Sequence, residues 1–163
     1  MNNSEFFLAD AIDAIEEVLA SGGVFRIYPK GTSMLPLLVQ TRDSVVLKRR
    51  EGTPALKNDI AFYRRKNGQF VLHRVMRICP DGTYVMCGDN QCVLEKGIEP
   101  SQIIAYVSEI YRKDKKIALG GARYSLYVFF WTKMPIRKTV MLYKRVLAKI
   151  KRICKRTFSK AID

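Results

Sequence analysis

Apolar residues at three- and four-residue steps open the chain. Phe7, Leu8, Ala11, Ile12, Ile15, Val18 and Leu19 share one side, with Asp10, Asp13, Glu16 and Glu17 between them, and this predicts an amphipathic helix over residues 4–21. Asn3 or Ser4 can cap its start, and Gly22-Gly23 ends it. From Val24 the period drops to two. Strands are predicted over 24–28, 44–48, 59–63, 70–78 and 83–87, divided by turn sequences such as Pro29-Lys30-Gly31, Lys66-Asn67-Gly68 and Cys79-Pro80-Asp81-Gly82. A last hairpin, 103–111 with 116–119, folds around Lys113-Asp114-Lys115. The pattern therefore predicts a mainly β (α+β), antiparallel body over 23–121 behind a helical segment, 1–22.

The character changes again over 122–163. Tyr124 to Trp131 is densely aromatic, Pro135 is expected to break the chain, and 137–158 reads as a helix. On a helical wheel Tyr143, Val146, Leu147, Ile150, Ile153, Cys154, Thr157 and Phe158 fall on one side. Lys144, Arg145, Lys149, Lys151, Arg152, Lys155 and Arg156 fall on the other. Charge sharpens this division. The net charge of the 163 residues is +14, yet residues 1–111 balance 13 Lys/Arg against 13 Asp/Glu, and residues 112–163 set 16 against Asp114 and Asp163 alone. A neutral body with a basic, amphipathic tail is expected to meet an anionic membrane surface. A helix packed on the body with a solvated basic face ranks second. Nucleic acid ranks third, because no binding motif accompanies the charge.

The uncharged run 124–132 is nine residues long, against about 20 for a spanning helix. The N-terminal residues lack a basic region ahead of an apolar one, so no secretory signal is read there. The expected location is cytoplasmic and peripheral at the membrane. The cysteines at 79, 87, 92 and 154 follow no zinc spacing and are expected to be reduced, with a disulfide among the first three left open for an oxidising compartment. No metal or nucleotide signature is present, and no cofactor is expected.

The chemistry centres on two segments. Ser33 lies in a Gly31-Thr32-Ser33 turn closed by Pro36, and His73, the one histidine, lies in the apolar strand Val71-Leu72-His73-Arg74-Val75. A serine hydroxyl becomes a nucleophile when a neighbouring base takes its proton, and an imidazole is mostly free base at neutral pH. A carboxylate usually orients such an imidazole. Asp89, in the turn sequence Gly88-Asp89-Asn90, is the first candidate, followed by Asp59 and Asp43. The Ser33 N–H is a candidate donor to a tetrahedral oxyanion.

Four segments in order are Gly31-Thr32-Ser33-Met34-Leu35-Pro36, Asn58-Asp59-Ile60-Ala61-Phe62, His73-Arg74-Val75 and Gly88-Asp89-Asn90. Together they resemble the conserved boxes of type I signal peptidases and, more widely, the superfamily shared with LexA-type self-cleaving repressors. The resemblance covers about residues 22–110. It implies a coiled antiparallel β-fold, with Ser33 as nucleophile on a turn formed by Gly31, Thr32, Met34 and Pro36. It implies His73 as base, as in the archaeal and endoplasmic-reticulum type, where most bacterial members carry lysine. Asp89 would be the third member and Asp59 the alternative acid. The implied substrate is a peptide or protein precursor, bound as an extended strand and cut after small residues in a leader- or signal-peptide-like segment.

The chain departs from the pattern in four places. No N-terminal membrane span is read in it. Gly31 stands where many bacterial members have serine. The second box begins Asn58-Asp59 rather than Gly-Asp. After Asn90, where a further Asp is usual, come Gln91-Cys92-Val93-Leu94-Glu95. The expected function is therefore a specialised serine endopeptidase held at a membrane by its tail, and cleavage of a soluble peptide is expected to survive deletion of residues 123–163. The competing readings are a catalytically silent binding module of the same fold at a membrane surface, and a LexA-like repressor relative, which needs a DNA-binding domain and a cleavage loop of its own.

Overall fold

The computed structural model describes residues 3–50 and 52–160, without the side chains of 3–11, 144, 145, 148, 153 and 155–160. Helix α1 (Asn3–Ala20) already includes Asn3 and Ser4, the residues expected to cap it. It ends in a Schellman motif. Gly22 takes φ +79°, its N–H reaches Leu19 O at 3.3 Å, and the Gly23 N–H reaches Val18 O at 3.0 Å, so carbonyls left over at the helix end are satisfied. Ile12, Ile15 and Leu19 are buried, whereas Val18, expected on the same face, is 37% exposed. The expected contributions of Phe7, Leu8 and Ala11 lie outside the described side chains.

Eight strands follow among the described residues: β1 (Val24–Ile27), β2 (Asp43–Lys48), β3 (Ile60–Arg64), β4 (Phe70–Ile78), β5 (Tyr84–Cys87), β6 (Glu95–Ile98), β7 (Ile103–Arg112) and β8 (Lys115–Ile117). All pairings are antiparallel, in the order β1-β2-β7-β3-β4-β5-β6, with β8 added to β7. The fold class is thus the expected α+β with a mainly antiparallel sheet. Strand β6 had no counterpart in the sequence pattern, because Glu95-Lys96-Gly97-Ile98 shows no apolar alternation.

The β7–β8 turn needs positive φ at both central residues, and Lys113 (φ 47°) and Asp114 (φ 62°) supply it. Register shifts at Val46/Leu47, Phe62/Tyr63, Val75/Arg77 and Tyr84/Met86 bend the sheet. Two apolar cores pack against it. Strand β3 is buried on both faces: Ile60 and Phe62 join a core with α1, Met34, Leu37, Leu38, Val45 and Leu47, while Ala61 and Tyr63 join one with Val75, Tyr84 and Met86.

Past the boundary expected after residue 121, the chain packs back onto the sheet. Helix α2 (Ala122–Trp131) turns Tyr124, Tyr127, Val128 and Trp131 inward at three- and four-residue steps. Their polar ends meet one ion pair. Arg74 on β4 and Asp89 after β5 are both fully buried and doubly bonded, Nε to Oδ1 at 2.8 Å and Nη2 to Oδ2 at 2.7 Å. Tyr127 Oη donates to Asp89 Oδ2 at 2.7 Å, Trp131 Nε1 donates to Asp89 O at 2.7 Å, and Arg74 Nη1 donates to Tyr124 Oη at 3.2 Å.

Helix α3 (Met134–Lys160) starts earlier than expected. Pro135 lies in its first turn rather than breaking the chain, since an N–H there has no helical partner to lose. Arg137 and Met141 hold α3 to the body. Leu142, Tyr143, Val146, Leu147 and Ile150 are 37–63% exposed, as are Leu126, Phe129 and Phe130 on the outer side of α2. The four cysteines are free thiols. Among the described residues no helix is long and apolar enough to cross a membrane.

Replacing one partner of a buried ion pair leaves the other charge uncompensated, at about 3–5 kcal/mol. Asp89→Asn is therefore expected to lower stability by about that amount in urea denaturation and to loosen α2, read as a shift of Trp131 fluorescence.

Candidate active site

Ser33 sits in the turn between β1 and β2. The turn is held from below by Met34, Leu37 and Leu38, all buried in the α1 core. Gly31 takes φ +88°, a value that favours glycine, and donates its N–H to Gln40 Oε1 at 2.8 Å, closing the loop across nine residues. The Leu35–Pro36 peptide is cis. Gly31, Ser33 and Met34 line a cavity of about 240 Å³ together with His73. Thr32 is exposed, and Pro36 lines a separate cavity beside Tyr124.

Alternation along β4 sends His73 and Arg74 to opposite faces. His73 is buried, and its Nδ1 lies 3.3 Å from Tyr63 Oη and 3.1 Å from Glu95 Oε1. Its Nε2 faces the Ser33 turn. Gly88 packs against both: a Cβ there would stand 2.7 Å from Ser33 O and 3.0 Å from His73 Nε2. Only a residue without a side chain lets the 88–91 turn close on both. Asn90 N–H completes the contact with a 2.6 Å bond to Ser33 O.

The carboxylate on the imidazole is thus Glu95, not Asp89. Asp89 occupies its lone pairs with Arg74, Tyr127 and, at 4.0 Å, Arg137. The physical reason is the strand alternation: Asp89 pairs with Arg74, and Arg74 and His73 point apart. Asp59 is not brought to His73 either. Its Oδ2 accepts the Leu56 N–H at 2.6 Å and an ion pair from Arg50. Asp43 is buried against Arg42 and the Val39 N–H.

Glu95 is itself held by Arg65, from Nε to Oε2 at 2.8 Å and from Nη2 to Oε1, and by Tyr63 Oη at 2.9 Å. Burial alone would raise its carboxyl, but the Arg65 guanidinium and the Tyr63 hydroxyl keep it below the ordinary carboxylate value. Burial lowers His73 below its ordinary value, with the Glu95 charge pulling the other way. A neutral imidazole that donates Nδ1–H to Glu95 presents an unprotonated Nε2 toward Ser33, the arrangement a general base requires.

Sequence reasoning missed Glu95, Tyr63 and Arg65. Tyr63 was within reach: the Lys66-Asn67-Gly68 turn sets a β3–β4 register with Ala61 opposite His73, which makes Tyr63 its diagonal neighbour on the same face. Glu95 ends the segment that follows Gly88-Asp89-Asn90, and that position was the signal available for it. Compared with known proteins, the chain matches no family model, no curated protein and no solved structure.

A buried imidazole with a lowered pKa binds its proton later than the unfolded chain does as pH falls. Stability is therefore expected to decline as pH drops below the ordinary imidazole value of about 6.5, down to the folded value, below which this contribution levels off. As the chain's one histidine, His73 gives a single imidazole NMR titration, and its midpoint is expected below that ordinary value.

Proposed function

We propose that the chain is a serine endopeptidase of the signal peptidase/LexA-like type, with Ser33 as nucleophile, His73 as base and Glu95 as the residue that orients the base. One observation carries the reading: an imidazole gripped at Nδ1 by a carboxylate shares a cavity with Ser33, and Gly88 lies against both its Nε2 and the Ser33 carbonyl. The resemblance of the four boxes and the mainly antiparallel sheet support it.

In the first step the Ser33 Oγ–carbonyl carbon bond forms, the hydroxyl proton moves to His73 Nε2, and the carbonyl oxygen becomes an oxyanion within reach of the Ser33 N–H. The intermediate then collapses. The C–N bond breaks, and the imidazolium returns its proton to the leaving amine. Water repeats the sequence on the acyl-enzyme and frees Ser33. Glu95 stabilises the imidazolium in both halves. A cavity of about 240 Å³ beside Ser33 suits a small side chain ahead of the cut.

The enzyme works at an anionic membrane surface, with a leader-like segment of a membrane-associated precursor as substrate. The support is the run of exposed apolar side chains on α2 and α3, from Leu126 and Phe129 to Leu142, Val146 and Ile150, flanked by exposed Lys138, Lys149, Lys151 and Arg152. A surface of that kind buries its apolar stripe at the acyl boundary and its cations among headgroups.

Incubation with a diverse peptide library and mass spectrometry is expected to reveal products from wild type that Ser33→Ala does not form. Glu95→Gln is expected to retain the fold and lower kcat about a hundredfold or more, with kcat/KM of the wild type rising with pH through the His73 titration. No products from wild type, or unchanged products from Ser33→Ala, refute the assignment and favour a binding module. Sedimentation with vesicles is expected to carry the protein down when they contain phosphatidylserine, and to do so less with Phe129→Ser/Leu142→Ser. Equal recovery with neutral vesicles, or no effect of the double substitution, counts against the membrane surface.

A further inference from the structure

We propose that Arg137 is a positioning residue of this site: from the first turn of α3 it holds the 87–91 turn against Ser33 and His73, so the α2–α3 hairpin is part of the catalytic framework. The inference rests on the peptidase reading for its kinetic consequence and on geometry for the rest.

Arg137 is fully buried, which is unusual for an arginine. Its Nη1 donates to Gly88 O at 3.0 Å, to Gln91 O at 3.1 Å and to Cys87 Sγ at 3.2 Å, while Nε donates to Trp131 O at 3.0 Å. One planar guanidinium thus ties the last residue of β5, both ends of the 88–91 turn and the end of α2. That turn touches the site twice, through the Asn90 N–H on Ser33 O at 2.6 Å and through the Gly88 Cα, which closes on Ser33 O and His73 Nε2.

Arg137 reaches neither Ser33 nor His73 itself. It acts through the backbone it holds. Its charge is offset by Asp89, whose Oδ1 lies 4.0 Å from Nη2, so the same buried carboxylate serves Arg74 on β4 and Arg137 on α3. On this proposal the tail cannot be removed without impairing cleavage, contrary to the expectation from the sequence. Removal from residue 123 onward strips Tyr124, Tyr127, Trp131 and Arg137 from a buried network.

Lysine lacks the planar fork and cannot serve the carbonyls of Gly88, Gln91 and Trp131 together, and methionine serves none of them. Four readouts apply to Arg137→Lys and Arg137→Met in the full chain: the thermal melt, exchange of the Asn90 amide, the His73 titration, and kcat and KM on a soluble peptide. The other charged and titratable groups that act on His73, Tyr63, Arg65 and Glu95 on its own face and Asp89 across β4, are left unsubstituted in both variants.

The expected result for folded Arg137→Met is a kcat lower by about tenfold or more with KM within about twofold. Asn90 should exchange faster, and the His73 midpoint should rise toward its ordinary value. Arg137→Lys, which keeps the charge, should fall between the two, so a rise of His73 there reports the turn and not the lost cation.

Wild-type values of kcat, exchange and titration in a folded Arg137→Met overturn the proposal, as does a kcat loss that merely follows the unfolded fraction. If Arg137→Met does not fold, wild-type values in all three readouts for Arg137→Lys overturn it. If the wild type cleaves no peptide, the peptidase reading fails by itself, while the Asn90 exchange and the His73 titration still decide the role of Arg137.

Discussion

The rest of the molecule depends on the Arg74–Asp89 ion pair. Two full charges without solvent exposure are tolerable only where every remaining donor and acceptor is met. Here each is met by a different part of the chain: Arg74 by Asn58 O and Tyr124, and Asp89 by Tyr127, with its backbone carbonyl taken by Trp131. The pair therefore joins β4 to the end of β5 and both to α2. Its position in the sequence gives it reach. Arg74 follows His73, and Asp89 lies between Gly88, which abuts the imidazole, and Asn90, which bonds Ser33.

Electrostatics divides the two faces of β4 between structure and chemistry. On one face charge is neutralised and sealed, and it builds the scaffold. On the other, Glu95 is 22% exposed at its side chain and is shared among Arg65, Tyr63 and His73. Glu95 keeps its charge, and it is burial that holds the imidazole's pKa down against the pull of that charge. A carboxylate already committed to a buried bidentate pair could not also follow the protonation of a base. Two acids near one histidine thus take different roles because their surroundings differ, and the one with a partly open side holds the imidazole.

The C-terminal helices show how one face can serve two ends. Tyr124, Tyr127, Val128 and Trp131 fill the inner side of α2, and Leu126, Phe129 and Phe130 stand on its outer side. Arg137 and Met141 fasten the start of α3, with Met141 Sδ 3.2 Å from Cys92 Sγ, and the apolar stripe beyond them is left uncovered. The helix pair is packed under the 87–91 turn on one side and leaves an exposed apolar surface on the other.

Much of this was legible in the residues. Period-two alternation located most of the strands, the 3.6-residue period located α1 and most of α3, and the pairing of a Gly-Thr-Ser turn with the one histidine singled out Ser33 and His73, which share a cavity. Local sequence determines such features because side-chain direction repeats with backbone geometry and turns carry their own chemistry. Strand β6 and helix α2 were missed because Glu95-Lys96-Gly97-Ile98 carries no period, and because the aromatics of α2 are divided between the body and solvent. Which carboxylate faces the imidazole was decided only by the tertiary structure. Asp89 and Glu95 are both near His73 in the fold, and their roles follow from the face to which β4 turns Arg74 and from a hydrogen-bond network completed 35 to 48 residues downstream of Asp89, at Tyr124, Tyr127, Trp131 and Arg137. No local pattern encodes contacts made at that separation, because they are selected by the need to satisfy buried charge once the sheet has closed.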